Sequence, residues 1–194
     1  ILVNQLHVEK AIDHYEILEG KVLVRIGSLA HRVRENGLAR ESLEKAKLIF
    51  SKHSLDEELN DCQAALAEVY LRSNEYAAAE QTGYKILEFY QKSNDMIGQI
   101  KALNTLGLVS LRRGDIEVAR RYLHQSVVLG RKSKNQRQLI VPLNYLGDIA
   151  CNEGGYSEAT YLFEESLKIA SELEDLYQVA LLLNNLASVY HVEL

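Results

Sequence analysis

Apolar residues in this chain recur at helical intervals, in stretches cut at regular places by glycine and small polar residues. Leu103, Leu106, Val109 and Ser110 keep the spacing of one helix face. Arg113-Gly114-Asp115 interrupts them, and a glycine there can take the left-handed conformation that closes a helix. Ile116, Ala119, Leu123, Val127 and Gly130 then form a second stripe, which stops at Lys134-Asn135. Ser73-Asn74-Glu75 and Glu153-Gly154-Gly155 punctuate other stretches in the same way, as do Ser93-Asn94-Asp95 and Glu174-Asp175. Asn and Asp at such places can cap the following helix by accepting its free N–H groups. The pattern predicts hairpins of two helices.

The hairpins repeat at an interval of 40 residues. Ile26-Gly27, Leu66-Ala67, Leu106-Gly107, Leu146-Gly147 and Leu186-Ala187 fall in one column. Ala39, Ala79, Ala119 and Ala159 form another, followed by Leu43, Gly83, Leu123 and Phe163. Self-similarity at such a period means one supersecondary unit stacked on copies of itself. The expected fold is all-α, a right-handed α-α superhelix of about ten antiparallel helices. Repeats are expected over residues 21–60, 61–100, 101–140 and 141–180, with 181–194 a partial repeat. Residues 1–20 read as the remnant of a preceding repeat and a linker, Leu2 to Ile12 being the tail of an earlier second helix. The small residues at Gly107 and Ala119 let paired helices approach closely. Gly83, in place of a large apolar residue, is expected to weaken its helix by about 1 kcal/mol. Pro142, well inside a first helix, is expected to bend it. The last helix should expose Leu183, Leu186 and Val189, either as an artificial end or as the contact of a homodimer.

Leu143, Leu146-Gly147, Ala150, Ala159, Phe163 and Ser166, with Leu66-Ala67, Tyr70, Ala79 and Ile86, resemble the tetratricopeptide repeat (TPR). The resemblance covers essentially the whole chain, as a variant about six residues longer than the usual 34-residue unit. This long form is similar to the repeats of kinesin light chains, spindle-orientation adaptors and bacterial regulators with helical sensor arrays. Leu182-Leu183-Asn184-Asn185-Leu186-Ala187-Ser188-Val189-Tyr190 is especially similar to the first helix of a kinesin light chain repeat. The resemblance implies a TPR solenoid whose first helices line a concave groove.

Composition narrows the partners. The net charge of −5 disfavours nucleic acid and anionic membrane as direct partners, and no apolar run approaches the length of a membrane span. Cys62 and Cys151 fit two reduced thiols in a cytoplasmic protein. The absence of an initiating methionine reads as a fragment of a longer protein. No metal-binding histidine spacing, phosphate loop or nucleophile–base pair occurs, so the expectation is no catalysis, no cofactor and no metal.

Two columns on the first helices offer binding chemistry. Asn104, Asn144 and Asn184 stand 40 residues apart, two positions before the Leu-Gly column. An asparagine amide can pair with a peptide N–H and C=O regardless of the peptide's sequence. Three on stacked helices would track roughly six residues of extended chain, and similar TPR proteins hold bound segments in this way. Alternatively, these side chains bond to neighbouring helices. Arg32, Arg72 and Arg112 form the second column, with Lys101 towards the other rim. They suit acidic groups on a ligand, or pair on a solvated face with Glu68, Glu75 and Asp148. Tyr70, Tyr76, Tyr145 and Tyr156 read as packing residues. The expected function is a non-catalytic protein- or peptide-binding scaffold within a larger adaptor or signalling protein. The alternatives are a ligand-sensing regulatory domain of a bacterial transcription regulator or signalling ATPase, and remotely an enzyme domain.

Overall fold

The computed structural model describes the backbone of residues 2–193 and the side chains of residues 10–191. Among them all regular structure is helical. In chain order the helices are α1 (Leu2–Arg32), α2 (Asn36–Lys52), α3 (Asp56–Arg72), α4 (Tyr76–Lys92), α5 (Met96–Arg113) and α6 (Ile116–Lys132). A short 3-10 turn (Gln136–Leu139) leads into α7 (Ile140–Asn152), followed by α8 (Tyr156–Glu172) and α9 (Leu176–Glu193). No helix among the described residues is long and apolar enough to cross a membrane.

The reversals between helices share one construction. Arg34, Ser54, Asn74, Asn94, Gly114, Lys134, Gly154 and Glu174, each 20 residues from the next, all have positive φ. The N–H that follows most of them reaches back to close the preceding helix, as from Glu35 to Ala30, Glu75 to Tyr70 and Asp175 to Ala170. Asn74 and Asn94 therefore close helices rather than capping the next ones. The capping role falls to Asp95, which accepts from the Ile97 N–H at 2.9 Å, and to Asp175, which accepts from Gln178 at 3.3 Å.

Two compact units are present, residues 1–86 and 87–194, with the division inside α4. In the first, α1 packs on α2, α2 on α3, and α1 on α3. In the second, each helix from α5 to α8 packs on its successor, and α7 also touches α5 and α9. Within each unit the order of packing follows the order in the chain, as a stack of hairpins requires.

Small residues set the approach of paired helices. A Cβ added to Gly27 would lie 2.6 Å from Leu43, one on Gly107 2.9 Å from Leu123, and one on Gly147 2.5 Å from Phe163. The same pairing thus recurs in three hairpins, with Ala39, Ala119 and Ala159 fully buried in them, and Ala79 is fully buried at the same register of the fourth.

Three expectations are corrected. Among the described residues no linker precedes residue 21, because α1 runs unbroken from Leu2 to Arg32. Residues 13–19 contain no glycine, proline, asparagine or serine, and Gly20 is a packing glycine whose added Cβ would meet the Phe50 ring at 2.8 Å. Pro142 does not bend a helix interior. Its helix is preceded by a 3-10 turn, so Pro142 falls in the first turn of α7, where a missing N–H has no intrahelical partner to lose. On α9, Leu186 and Val189 are buried with Leu182 against α7 and α8, and Leu183 alone of the expected trio is exposed. Leu103 and Leu143, at the register of Leu183, are buried in complete hairpins. The surface opened on α9 is thus the Leu183 side, whereas the Leu186 side faces the preceding pair.

Candidate functional site

In residues 87–194 the polar column lies on α5, α7 and α9. Asn104 is half-buried, and its Oδ1 accepts from the Ser126 hydroxyl on α6 at 2.7 Å. Asn144 is buried, and its Oδ1 accepts from the Asn185 amide on α9 at 2.9 Å. Asn184 is exposed. The three equivalent positions therefore have three environments. Asn104 and Asn144 are oriented by neighbouring helices through their carbonyls, and Asn184 faces solvent. Asn185, which joins this cluster, was not singled out from the sequence. Its signal was the doubled Asn184-Asn185 beside the column, since a residue one position on projects toward the preceding first helix.

Asp148, one turn beyond Asn144, sits beneath the same amide, with Asn185 Nδ2 3.4 Å from its Oδ1. Burial pushes its carboxyl up to about 6, against the opposing effect of the Arg112 charge. Arg112 and Lys101 lie exposed on α5, a helical face shared with Asn104. The arrangement juxtaposes oriented amides, a half-buried carboxyl that protonates readily, and cationic side chains.

In residues 1–86 the Arg column takes a different form. Arg72 donates from Nη1 to the His31 carbonyl at 2.8 Å, satisfying an end group of α1. Arg32 is exposed and lines a small cavity of about 150 Å³ with Ser28, His31 and Glu68. His31 Nε2 lies 3.7 Å from Glu68, and its Nδ1 is buried without a hydrogen-bond partner. Burial first, and the Arg72 charge second, hold His31 below the usual histidine range. Glu75, considered a partner for the Arg column, pairs with Arg40 at 2.7 Å. Tyr70 belongs to the same surface: Arg40 stacks on its ring at 5.3 Å and its hydroxyl donates to Glu44 at 2.7 Å. Tyr70, Tyr76, Tyr145 and Tyr156 are all half-buried.

One cluster with metal-ligand chemistry escaped the sequence reading, because its members lie far apart in the chain. Asp13, Glu16 and His53 bring one ligand atom each within 4.8 Å of one another. Lys52 donates to both Glu16 oxygens at 2.8 and 2.6 Å, and His53 Nε2 meets Oε2 at 2.7 Å. The lysine supplies the positive charge a cation would bring, and the group fastens the end of α2 to α1. Cys62 offers no nucleophile: it is fully buried, donates to the Leu43 carbonyl at 3.1 Å, and burial pushes its thiol up to about 12.

No family model matches the chain. Tonsoku-like protein of Danio rerio is 24% identical over 174 residues, which is 88% of this chain and 12% of that protein. The structure of a Rap protein complexed with competence and sporulation factor matches with a TM-score of 0.78 at 18% identity, over 91% of this chain and 53% of that one. Aspartyl phosphate phosphatase F from Bacillus subtilis matches with a TM-score of 0.74 at 14% identity, over 86% of this chain and 44% of that one. This chain thus spans about an eighth of the curated relative and about half of each solved chain. Hairpins of fixed length, turns in fixed register and these likenesses agree: the chain has the all-α fold of a tetratricopeptide-type helical-repeat array.

Proposed function

We propose that the chain is a non-catalytic scaffold that binds an extended segment of another protein along its first helices. The observation that carries this reading is the column of Asn104, Asn144 and Asn184 on α5, α7 and α9, two of them oriented through their carbonyls. A fixed carbonyl directs the NH2 group of the same amide, and that group is the donor offered to a peptide C=O. Lys101 and Arg112 supply positive charge beside the column, Asp148 the carboxyl among them, and Arg32 and Arg72 a comparable surface in the first unit. Arg72 uses one N–H on the His31 carbonyl, and its guanidinium has others to offer. The Rap structure was solved with competence and sporulation factor bound, which supports a binding role for this kind of array. Placement in a cytoplasmic adaptor or signalling protein belongs to the same proposal.

A second reading is a ligand-sensing regulatory domain, favoured by that same complex. The two separate on the response to a bound peptide. Small-angle scattering with and without a peptide selected for binding should show unchanged dimensions for a scaffold and a changed radius for a sensor. The proposal itself is tested by Asn184→Ala, which removes an exposed amide with no cost to packing and should weaken such a peptide several-fold.

A further inference from the structure

The second unit holds a cleft on the side of α5 roughly half a helical turn from Asn104 and Arg112. Its volume is about 390 Å³. Leu87 of α4, Leu103 of α5 and Leu129 of α6 line it, and Val128 stands half out of it, 52% exposed. Gln91, Gln99 and Gln125 complete it with His124, so none of the lining residues is an acid, a lysine or an arginine. Gln99 is held in place by donating to the Tyr90 carbonyl at 3.0 Å.

The next hairpin shows how the array closes such a cleft. Forty residues on, Gln91 and Gln125 are replaced by Arg131 and Glu165, which form an ion pair at 3.2 Å. Gln99 is replaced by Leu139, which is buried and packs where a Cβ on Gly130 would lie 2.7 Å away. Val128 is replaced by Lys168, and His124 by Glu164. Charge and a filling leucine close the register in one hairpin, while neutral amides and an exposed valine keep it open in the other.

We propose that this cleft is a second docking site, which takes an uncharged, apolar anchor side chain of a partner polypeptide. The lining argues for that occupant. A charged group would lose its hydration against four aliphatic side chains with no opposite charge in the cleft to pair with. The glutamines carry donors and acceptors that suit a polypeptide main chain on either side of the anchor.

The test is selection of random twelve-residue peptides, displayed on phage, against the 194-residue chain. Peptides that depend on the cleft should share a leucine, isoleucine, methionine or phenylalanine without adjacent charge. Gln91→Arg, Gln99→Leu and Gln125→Glu together copy the closed hairpin and should weaken those peptides by roughly tenfold or more. Val128→Lys, at an exposed position, should weaken them in the same direction without a folding cost. The proposal is overturned if the common anchor is charged, if both cleft variants bind as tightly as wild type with their melting temperatures preserved, or if no selected peptide depends on the cleft.

Discussion

The side-chain amide of Asn185 on α9 donates to the side-chain carbonyl of Asn144 on α7 at 2.9 Å, tying the last first-helix to the one before it. Replacing Asn185 by alanine leaves a buried acceptor without this donor, which costs about 1–3 kcal/mol. Asn184→Ala, one residue away and exposed, should change stability by less than about 0.5 kcal/mol. Urea denaturation of the two variants checks the contrast, and equal effects would show that the Asn144–Asn185 bond is not structural.

Asp148 should make the protein less stable as pH rises. Its folded-state carboxyl is pushed from 3.8 up to about 6 by burial. Between those values the folded chain keeps a proton that the unfolded chain has released, so stability falls with rising pH and levels off above the upper value. Glu16 contributes the opposite slope, being held below the usual range by hydrogen bonds from Lys52 first and His53 second. The difference between wild type and Asp148→Asn isolates Asp148. The variant should melt higher than wild type near neutral pH, and this advantage should vanish at about pH 4. An advantage independent of pH would contradict the assignment.

The left-handed turn residues give a stability series. Lys134 and Glu174 adopt φ of 57° and 54°, and Gly114 and Gly154 adopt 86° and 81°. A side chain costs roughly 1 kcal/mol in this conformation, partly offset by the extra freedom glycine has when unfolded. Glu174→Gly and Lys134→Gly should therefore raise the melting temperature slightly, and Gly114→Ala and Gly154→Ala should lower it. The reverse order in thermal unfolding would show that something other than φ governs these turns.

Cys62 should resist thiol reagents in the native state. It is buried and bonded to the Leu43 carbonyl, whereas Cys151 is half-buried. Ellman's reagent at about pH 8 should titrate Cys151 first, and Cys62 only on unfolding. Two equally fast thiols would mean that α2 and α3 open readily.

The stack of hairpins was legible because packing rules repeat: a small residue at Gly107 facing Leu123 has the same cause as Gly147 facing Phe163. The start of α7 was less legible, because whether Pro142 lies inside a helix or in its first turn depends on where the α-helix begins, and the preceding 3-10 turn sets that. The exposed face of α9 was misplaced because spacing alone does not say which apolar stripe meets the preceding pair and which is left on the open side. At the candidate site, the interval of the three asparagines was readable, but their differing environments were not. Those depend on Ser126 and Asn185, contributed by neighbouring helices. The Asp13–Glu16–His53 group was hidden for a similar reason, being assembled from α1 and the end of α2.

The central claim, that the asparagine column holds a peptide backbone, is tested most directly by fluorescence anisotropy. The probe is a labelled peptide from the displayed library whose binding survives closure of the α4–α6 cleft. Each hydrogen bond is worth about 1 kcal/mol, so Asn184→Ala should weaken binding roughly fivefold. Asn104→Ala combined with Asn184→Ala should weaken it by well over tenfold, with the fold retained by circular dichroism. Unchanged affinity in both variants would contradict the account and leave the column a feature of helix packing alone.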